Sequence, residues 1–116
     1  MTAIVTDTCA CIPHAVAENL QIEIVPCYLH RGAETLRDEV DITDGEFYRW
    51  LPTARQLPTG ANPDPGDYLA AFERVAGRGS EAVVVLTMTS RGSGAYQSAS
   101  VAREMAADRM PRVRVE

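Results

Sequence analysis

The sequence contains no lysine: all 11 of its basic residues are arginine. This absence excludes three kinds of chemistry within the chain, because a Walker phosphate-binding loop, a pyridoxal Schiff base and Ser–Lys catalysis each require a lysine amine. The formal net charge is -5. We therefore predict no nucleic-acid partner, since a phosphate backbone would be repelled.

Long apolar runs are also missing. No run approaches the ~20 residues that span a membrane, and Ala82–Leu86 is among the longest. The first residues lack a basic segment and soon reach Asp7, so we expect no secretory signal and a cytoplasmic location. At 116 residues, 46% of them hydrophobic and 23% charged, the chain has the size and composition of one globular domain.

Cysteine is scarce, and Cys9, Cys11 and Cys27 make an odd number. In a chain expected in the cytoplasm, this count does not predict a disulfide framework. His14 follows Cys9 and Cys11 closely, but their spacing is not that of a zinc knuckle and no second cysteine pair follows, so we predict no metal site. Cys27 follows an apolar segment and is interpreted as a small buried side chain.

Acidic residues concentrate between Glu34 and Glu46, where Arg37 is the one basic residue. This pattern is typical of a solvated loop that leads into a helix. Docking to a basic partner is the alternative interpretation.

Strand and helix patterns alternate along the chain. They predict strands over residues 3–6, 21–27, 82–88 and 112–115, and helices over residues 13–19, 44–51, 65–76 and 95–108. Residues 28–40 are predicted to form an irregular or hairpin-like excursion that turns at Arg31 and Gly32, and residues 57–63 to be irregular. This order predicts an α/β fold, a three-layer α/β/α arrangement with a mainly parallel four-stranded sheet covered on both faces.

Two helix starts carry capping signals. Thr43 and Glu46 have the spacing of a capping box, and the helix that follows places Phe47 and Trp50 at core spacing. Asp64 is predicted to cap the next helix, with Pro65 at its first position. The strand over residues 82–88 is continuously apolar, which predicts burial on both faces.

The segment Thr89–Gly94 follows this strand and runs directly into a helix. In an open parallel sheet, ligands bind beyond the carboxyl ends of the strands. Glycines allow close approach of the backbone, and a helix N-terminus offers free N–H groups. With the hydroxyls of Ser90 and Ser93 and the charge of Arg91, the segment predicts a site for a carboxylate or a phosphate. The alternative is that Ser93 only caps the helix. The helix itself has few large apolar residues, which permits either close packing or room for a ligand tail.

Five blocks spread along the chain resemble the DegV family in order and spacing. They are IVTDT at 4–8, RDEVDIT at 37–43 with EFY at 46–48, LPT at 57–59, PDPGDY at 63–68 and TSRGSGAYQSA at 89–99. The resemblance implies a bacterial fatty-acid-binding protein, the carrier subunit of a fatty-acid kinase. In that family a fatty acid lies in a tunnel between two α/β domains, with its carboxylate at polar loops.

The resemblance also implies a division of labour. A separate ATP-dependent kinase subunit, related to dihydroxyacetone kinase, docks on the carrier and phosphorylates the carboxylate of the long-chain fatty acid. The carrier is not the enzyme, so no catalytic residue and no cofactor are expected, and the bound fatty acid is the ligand.

Matched position by position, Ser93 and Gly94 correspond to the serine–glycine that faces the carboxylate, with Ser90 beside them, and Thr59–Asn62 to the second polar loop. The family usually reads PTTSQP there, whereas residues 58–63 read PTGANP. Gly60 and Ala61 therefore replace hydroxyl residues, and each lost hydrogen bond to a charged group is worth ~1.5–3 kcal/mol. A backbone N–H of Gly60 is the available replacement. Three further departures are Ala95, where a threonine is usual, and Cys9 and Cys11, where small or acidic residues are usual.

Members of the family are well over twice as long as this chain. We therefore expect residues 1–116 to be the N-terminal domain alone, without the second domain. An apolar face should then remain open, which predicts self-association and transient contact with a membrane surface.

Two other functions stay open from the residues alone. One is a small α/β enzyme acting on a phosphorylated metabolite, with Asp7 and Ser93 as acid/base or nucleophile. The other is an interaction module that no longer binds lipid, which the change to Gly60 and Ala61 favours.

Overall fold

A computed structural model describes residues 1–116 of the chain. Its central sheet has the strand order β2-β1-β6-β7, formed by β1 (Thr2–Asp7), β2 (Glu23–Val25), β6 (Ala82–Leu86) and β7 (Arg114–Val115). All its strand pairs are parallel. The helices are α1 (His14–Asn19), α2 (Asp44–Trp50), α3 (Pro65–Gly77) and α4 (Ala95–Arg109). The predicted α/β fold with a mainly parallel four-stranded sheet is confirmed.

The core lies between this sheet and the two longest helices. Val5 of β1 and Val83 of β6 are fully buried against Tyr68 and Phe72 of α3. α4 contributes alanines to the same core, namely Ala99, Ala102 and Ala106. The small side chains of α4 therefore serve close packing against α3, which decides between the two alternatives left open by the sequence.

The opposite face of the sheet is more open. Ile4 pairs with Val84 and Thr6 with Leu86, and alternation places these side chains away from α3 and α4. Leu86 is 54% exposed and Ile4 38% exposed. The prediction that the strand over residues 82–88 is buried on both faces is thus wrong: the strand ends at Leu86, only Val83 within it is buried, and Met88 beyond it is 49% exposed.

A second sheet, with the order β4-β3-β5, is antiparallel and consists of β3 (Tyr28–Arg31), β4 (Glu34–Arg37) and β5 (Thr59–Ala61). The predicted hairpin is confirmed, and Gly32 adopts a φ of 61° in its turn. The prediction that residues 57–63 are irregular is wrong, since β5 pairs with β3 there. Its three residues carry no strand pattern of their own, so the pairing partner determines their conformation.

Capping differs at the two predicted helix starts. Asp64 and Asp67 form the complete reciprocal box at the start of α3, with Pro65 in its first turn. At α2, the Thr43 side chain accepts a hydrogen bond from the Glu46 backbone, and only this half of the predicted box forms.

The prediction that α2 enters the core is wrong, because none of its residues is buried. Phe47 and Trp50 contact each other, with ring centroids 6.1 Å apart. The Arg31 guanidinium lies 5.3 Å from the centre of the Trp50 ring. Trp50 thus joins α2 to Arg31 of the second sheet rather than to the core. None of the four helices is both long and apolar enough to cross a membrane.

Candidate functional site

The two predicted polar loops meet at one point. The Ser93 hydroxyl, just before α4, donates a hydrogen bond to Oδ1 of Asn62, just after β5, across 3.1 Å. Asn62 is exposed and Ser93 half-buried. The contact therefore lies at the surface, where a ligand can reach it.

The N-terminus of α4 faces this contact with unused donors. Ser93 Oγ accepts a hydrogen bond from the Ala95 backbone at 3.1 Å, so its predicted capping role and its contact with Asn62 coexist. The backbone N–H groups of Gly94, Tyr96 and Gln97 have no acceptor within the chain. Such N–H groups at a helix start, aided by the helix dipole, favour an anion.

Gly94 makes the close approach of the two loops feasible. A Cβ atom at this position would lie 3.1 Å from Nδ2 of Asn62. Because real Cβ contacts are rarely so short, a larger residue would push the Asn62 side chain away. A glycine at position 94 thus allows the contact between Ser93 and Asn62.

The other predicted ligand residues lie around this contact without joining it. Thr59, Gly60 and Ala61 form β5, are all exposed, and lead directly to Asn62. Ser90 is exposed and its side chain forms no hydrogen bond in the chain. Arg91 is exposed and belongs to none of the six ion pairs, so its positive charge is available to an anion.

Asp7, at the carboxyl end of β1, is buried with 2% exposure. Its Oδ2 accepts a hydrogen bond from the Tyr68 hydroxyl at 2.8 Å, and its Oδ1 accepts one from the Cys9 backbone at 3.0 Å. Burial and this bond raise the pKa of Tyr68. A buried tyrosine hydroxyl generally has a hydrogen-bond partner, and the partner of Tyr68 is Asp7.

Two cysteines lie beside Asp7. The Sγ atoms of Cys9 and Cys27 are 3.6 Å apart. Burial, followed by the hydrogen bond with Cys27, raises the pKa of the Cys9 thiol to about 12. The prediction that Cys27 is a small buried side chain is only partly met, since it is half-buried.

A cleft of about 730 Å³ lies elsewhere, between α1 and the acidic residues 38–44. Glu18, Asp38, Glu39 and Asp44 line it, with Arg78 as its one arginine. Hydrogen bonding to Asp44 raises the pKa of Glu39. This excess of negative charge makes the cleft a poor site for a carboxylate, so size alone does not identify the anion site.

No base contacts the Ser93 hydroxyl, whose partners are Asn62 and the Ala95 backbone. His30 bonds instead with Thr35, at 3.1 Å between Nδ1 and Oγ1, and His14 lines the acidic cleft. A serine nucleophile needs an adjacent base. The geometry therefore does not favour the alternative of an enzyme that uses Ser93.

Comparison with known proteins gives a consistent match. Residues 1–115 match the family model described as "Uncharacterised protein, DegV family". A DegV domain-containing protein of Halalkalibacterium halodurans is 37% identical over 103 residues, which cover 89% of this chain and 36% of that protein.

Two solved structures share the fold. A stearic-acid-binding protein from Eubacterium ventriosum has a TM-score of 0.87 at 28% identity, covering 99% of this chain and 40% of that one. A fatty-acid-binding DegV protein from Bacillus subtilis has a TM-score of 0.87 at 30% identity, covering 99% of this chain and 39% of that one. This chain thus spans well under half the length of the relatives that it matches.

Proposed function

The chain belongs to the DegV family, and on that premise we propose that it binds a long-chain fatty acid and presents the carboxylate to a separate ATP-dependent kinase subunit. The carboxylate binds where Ser93 meets Asn62. The observation that carries this proposal is the 3.1 Å hydrogen bond between these two loops beside the start of α4.

Donors for the fatty-acid carboxylate are available on the α4 side of this contact. The Ser93 hydroxyl can turn from Asn62 to the ligand, and the N–H groups of Tyr96 and Gln97 are unused. Arg91 adds a full charge nearby. Hydrogen bonds to a charged group are worth about 1.5–3 kcal/mol each, so a few such donors are enough to orient a carboxylate.

Apolar surface for the acyl chain flanks the same loop. Leu86, Met88 and Tyr96 are 54%, 49% and 52% exposed. Each buried CH₂ contributes about 0.8 kcal/mol, so most of the affinity for a long chain would come from covering such side chains. The core-facing alanines of α4 are already packed and leave no space for a tail on that side.

Two observations support a carrier role in this proposal: Ser93 has no adjacent base, and the sequence has no lysine for a phosphate. A separate subunit would then supply the phosphoryl group. A second domain would complete the acyl tunnel, in keeping with a match that covers 36% to 40% of the relatives.

We expect the protein in the cytoplasm, with self-association and transient contact with a membrane surface. Ile4 and Leu86 on the open sheet face favour self-association and transient contact with a membrane surface. Analytical ultracentrifugation over a range of concentrations tests the self-association.

Organic extraction of the purified protein followed by mass spectrometry, beside a native mass spectrum, tests the ligand class. We expect one fatty acid per chain, or uptake of one equivalent of added stearate by the empty protein. If neither occurs, repeating the measurement on a chain extended through the second domain separates a requirement for that domain from a loss caused by Gly60 and Ala61. Failure of the extended chain as well contradicts the proposal.

A further inference from the structure

Two cysteines lie at the same level beyond the ends of neighbouring strands. The parallel register of β1 and β2 pairs Asp7 with Val25, and Cys9 and Cys27 each follow two residues later. Their Sγ atoms are 3.6 Å apart. One oxygen of the Asp7 carboxylate completes a group of three atoms that lie within 4.8 Å of one another.

The distance between the sulfur atoms suits two ligands of one metal ion. With Zn–S bonds of about 2.3 Å, two thiolates on a tetrahedral zinc are about 3.8 Å apart. The 3.6 Å observed between Cys9 and Cys27 is close to this value. A disulfide has an S–S bond of about 2.05 Å, so the same pair would have to move much closer to form one.

Hydrogen bonds hold all three residues in place. The Cys9 backbone donates to Oδ1 of Asp7 at 3.0 Å, and the Cys27 backbone donates to the Thr8 hydroxyl at 3.1 Å. The Tyr68 hydroxyl donates to Oδ2 of Asp7 at 2.8 Å. Outer partners of this kind orient metal ligands, and each carboxylate oxygen retains a lone pair for an ion.

The burial of the Asp7 carboxylate is a further indication of a bound cation. This carboxylate is 2% exposed, and it takes part in none of the six ion pairs. Its hydrogen-bond donors, Tyr68 and the Cys9 backbone, are neutral. A buried charge is costly without a counter-charge, and a bound cation would supply it.

We propose that Asp7, Cys9 and Cys27 form a binding site for a thiophilic divalent cation such as Zn²⁺. Thiolate ligands favour zinc over magnesium or calcium, and a water molecule takes the fourth position. On binding, each thiol releases its proton to solvent and forms a sulfur–metal bond. The site uses other residues than the proposed fatty-acid contact at Ser93 and Asn62, and the proposal does not depend on that contact.

Cobalt titration tests this site. The reduced, metal-free protein is titrated with Co²⁺, whose thiolate complexes absorb in the near ultraviolet by sulfur-to-metal charge transfer. We expect one equivalent to bind with this absorption, and Zn²⁺ to displace it. Cys9→Ser and Cys27→Ser should each weaken binding at least tenfold. Cys11→Ser is the matched control: it removes an exposed thiol outside the group and should leave binding unchanged.

Three outcomes overturn the proposal. They are the absence of charge-transfer absorption in the reduced protein, an unchanged affinity in both Cys9→Ser and Cys27→Ser, and an equal loss in Cys11→Ser. Circular dichroism establishes that each variant is folded before it is titrated. A Cys9–Cys27 disulfide found by mass spectrometry in air-exposed protein, together with no cobalt absorption after reduction, would assign the pair to redox chemistry instead.

Discussion

The Ser93 hydroxyl donates a hydrogen bond to Oδ1 of Asn62 across 3.1 Å, which joins two segments 31 residues apart in the chain. Asn62 directly follows the short strand β5, and Ser93 lies just before the long helix α4. Because the contact is exposed and the backbone N–H groups of Tyr96 and Gln97 in the first turn of α4 remain unbonded, a carboxylate can bind there without disturbing the core. The following predictions test this site and the contacts that support the fold.

Ser93→Ala should weaken fatty-acid binding by at least about tenfold, since it removes a hydroxyl donor to a charged group, worth ~1.5–3 kcal/mol. Titration calorimetry with stearate measures the change. Ser100→Ala is the matched control, because Ser100 lies within α4, beyond the loop. Equal affinities for the two variants would contradict the assignment of Ser93.

Gly94→Ala should weaken binding while leaving the free energy of unfolding nearly unchanged. The new Cβ would meet Nδ2 of Asn62 at 3.1 Å, and the flexible end of that side chain would move away from Ser93. Binding and urea unfolding are measured in parallel. Gly77→Ala, where a Cβ would meet nothing within 4 Å, serves as control, and a loss of binding there would indicate a nonspecific effect.

Gly60→Thr should strengthen binding about tenfold if the hydroxyl reaches the carboxylate. A Cβ at Gly60 has room, with the Tyr28 carbonyl oxygen 3.8 Å away, and a β-branched residue suits a strand. Gly60→Val has nearly the same shape without the hydroxyl. If the valine variant gains as much affinity as the threonine variant, the gain comes from backbone order rather than from a new hydrogen bond.

Tyr28 should make stability depend on pH in the alkaline range. Its hydroxyl donates to Asp67 at 2.8 Å, and this bond, with burial and the charge of Asp67, raises the pKa of Tyr28 from 10.0 to about 12. Since the folded state holds the proton more tightly, this contribution is complete below pH 10 and is lost as pH rises towards 12.

The absorbance of the phenolate during an alkaline titration, beside unfolding curves at each pH, measures this effect. Tyr28→Phe lacks the titrating group, so the difference in stability between the two proteins should shrink between pH 10 and 12. A difference that stays constant over this range would show that the hydroxyl does not titrate as proposed.

Tyr68→Phe should lower the free energy of unfolding by about 1–3 kcal/mol, because the buried Asp7 carboxylate loses a hydrogen-bond donor. Urea denaturation at neutral pH gives the difference. Tyr48→Phe is the control, since Tyr48 is 66% exposed and should change stability by less than about 0.5 kcal/mol. Similar losses in both variants would argue against the Tyr68–Asp7 bond as a source of stability.

Much of the fold could be predicted because its signals are local. The capping of α3 by Asp64, with Pro65 in the first turn, depends on neighbours within one turn. The hairpin turn at Gly32 is local as well. The segment Thr89–Gly94 predicted an anion site from its own residues, and the resemblance to the DegV family added the loop Thr59–Asn62, which composition and periodicity alone do not identify.

Other features depended on which segments meet in space. Nothing in the sequence of residues 59–61 indicates a strand, yet pairing with β3 makes one. The exposure of Leu86 is determined by where helices cover the sheet. The register of β1 and β2 determines the 3.6 Å distance between the Sγ atoms of Cys9 and Cys27. The sequence by itself determined the order and type of the main elements, since hydrogen bonding and side-chain periodicity act over a few residues. The tertiary structure alone decided which loops and cysteines come together, because strand pairing and helix packing join residues far apart in the chain.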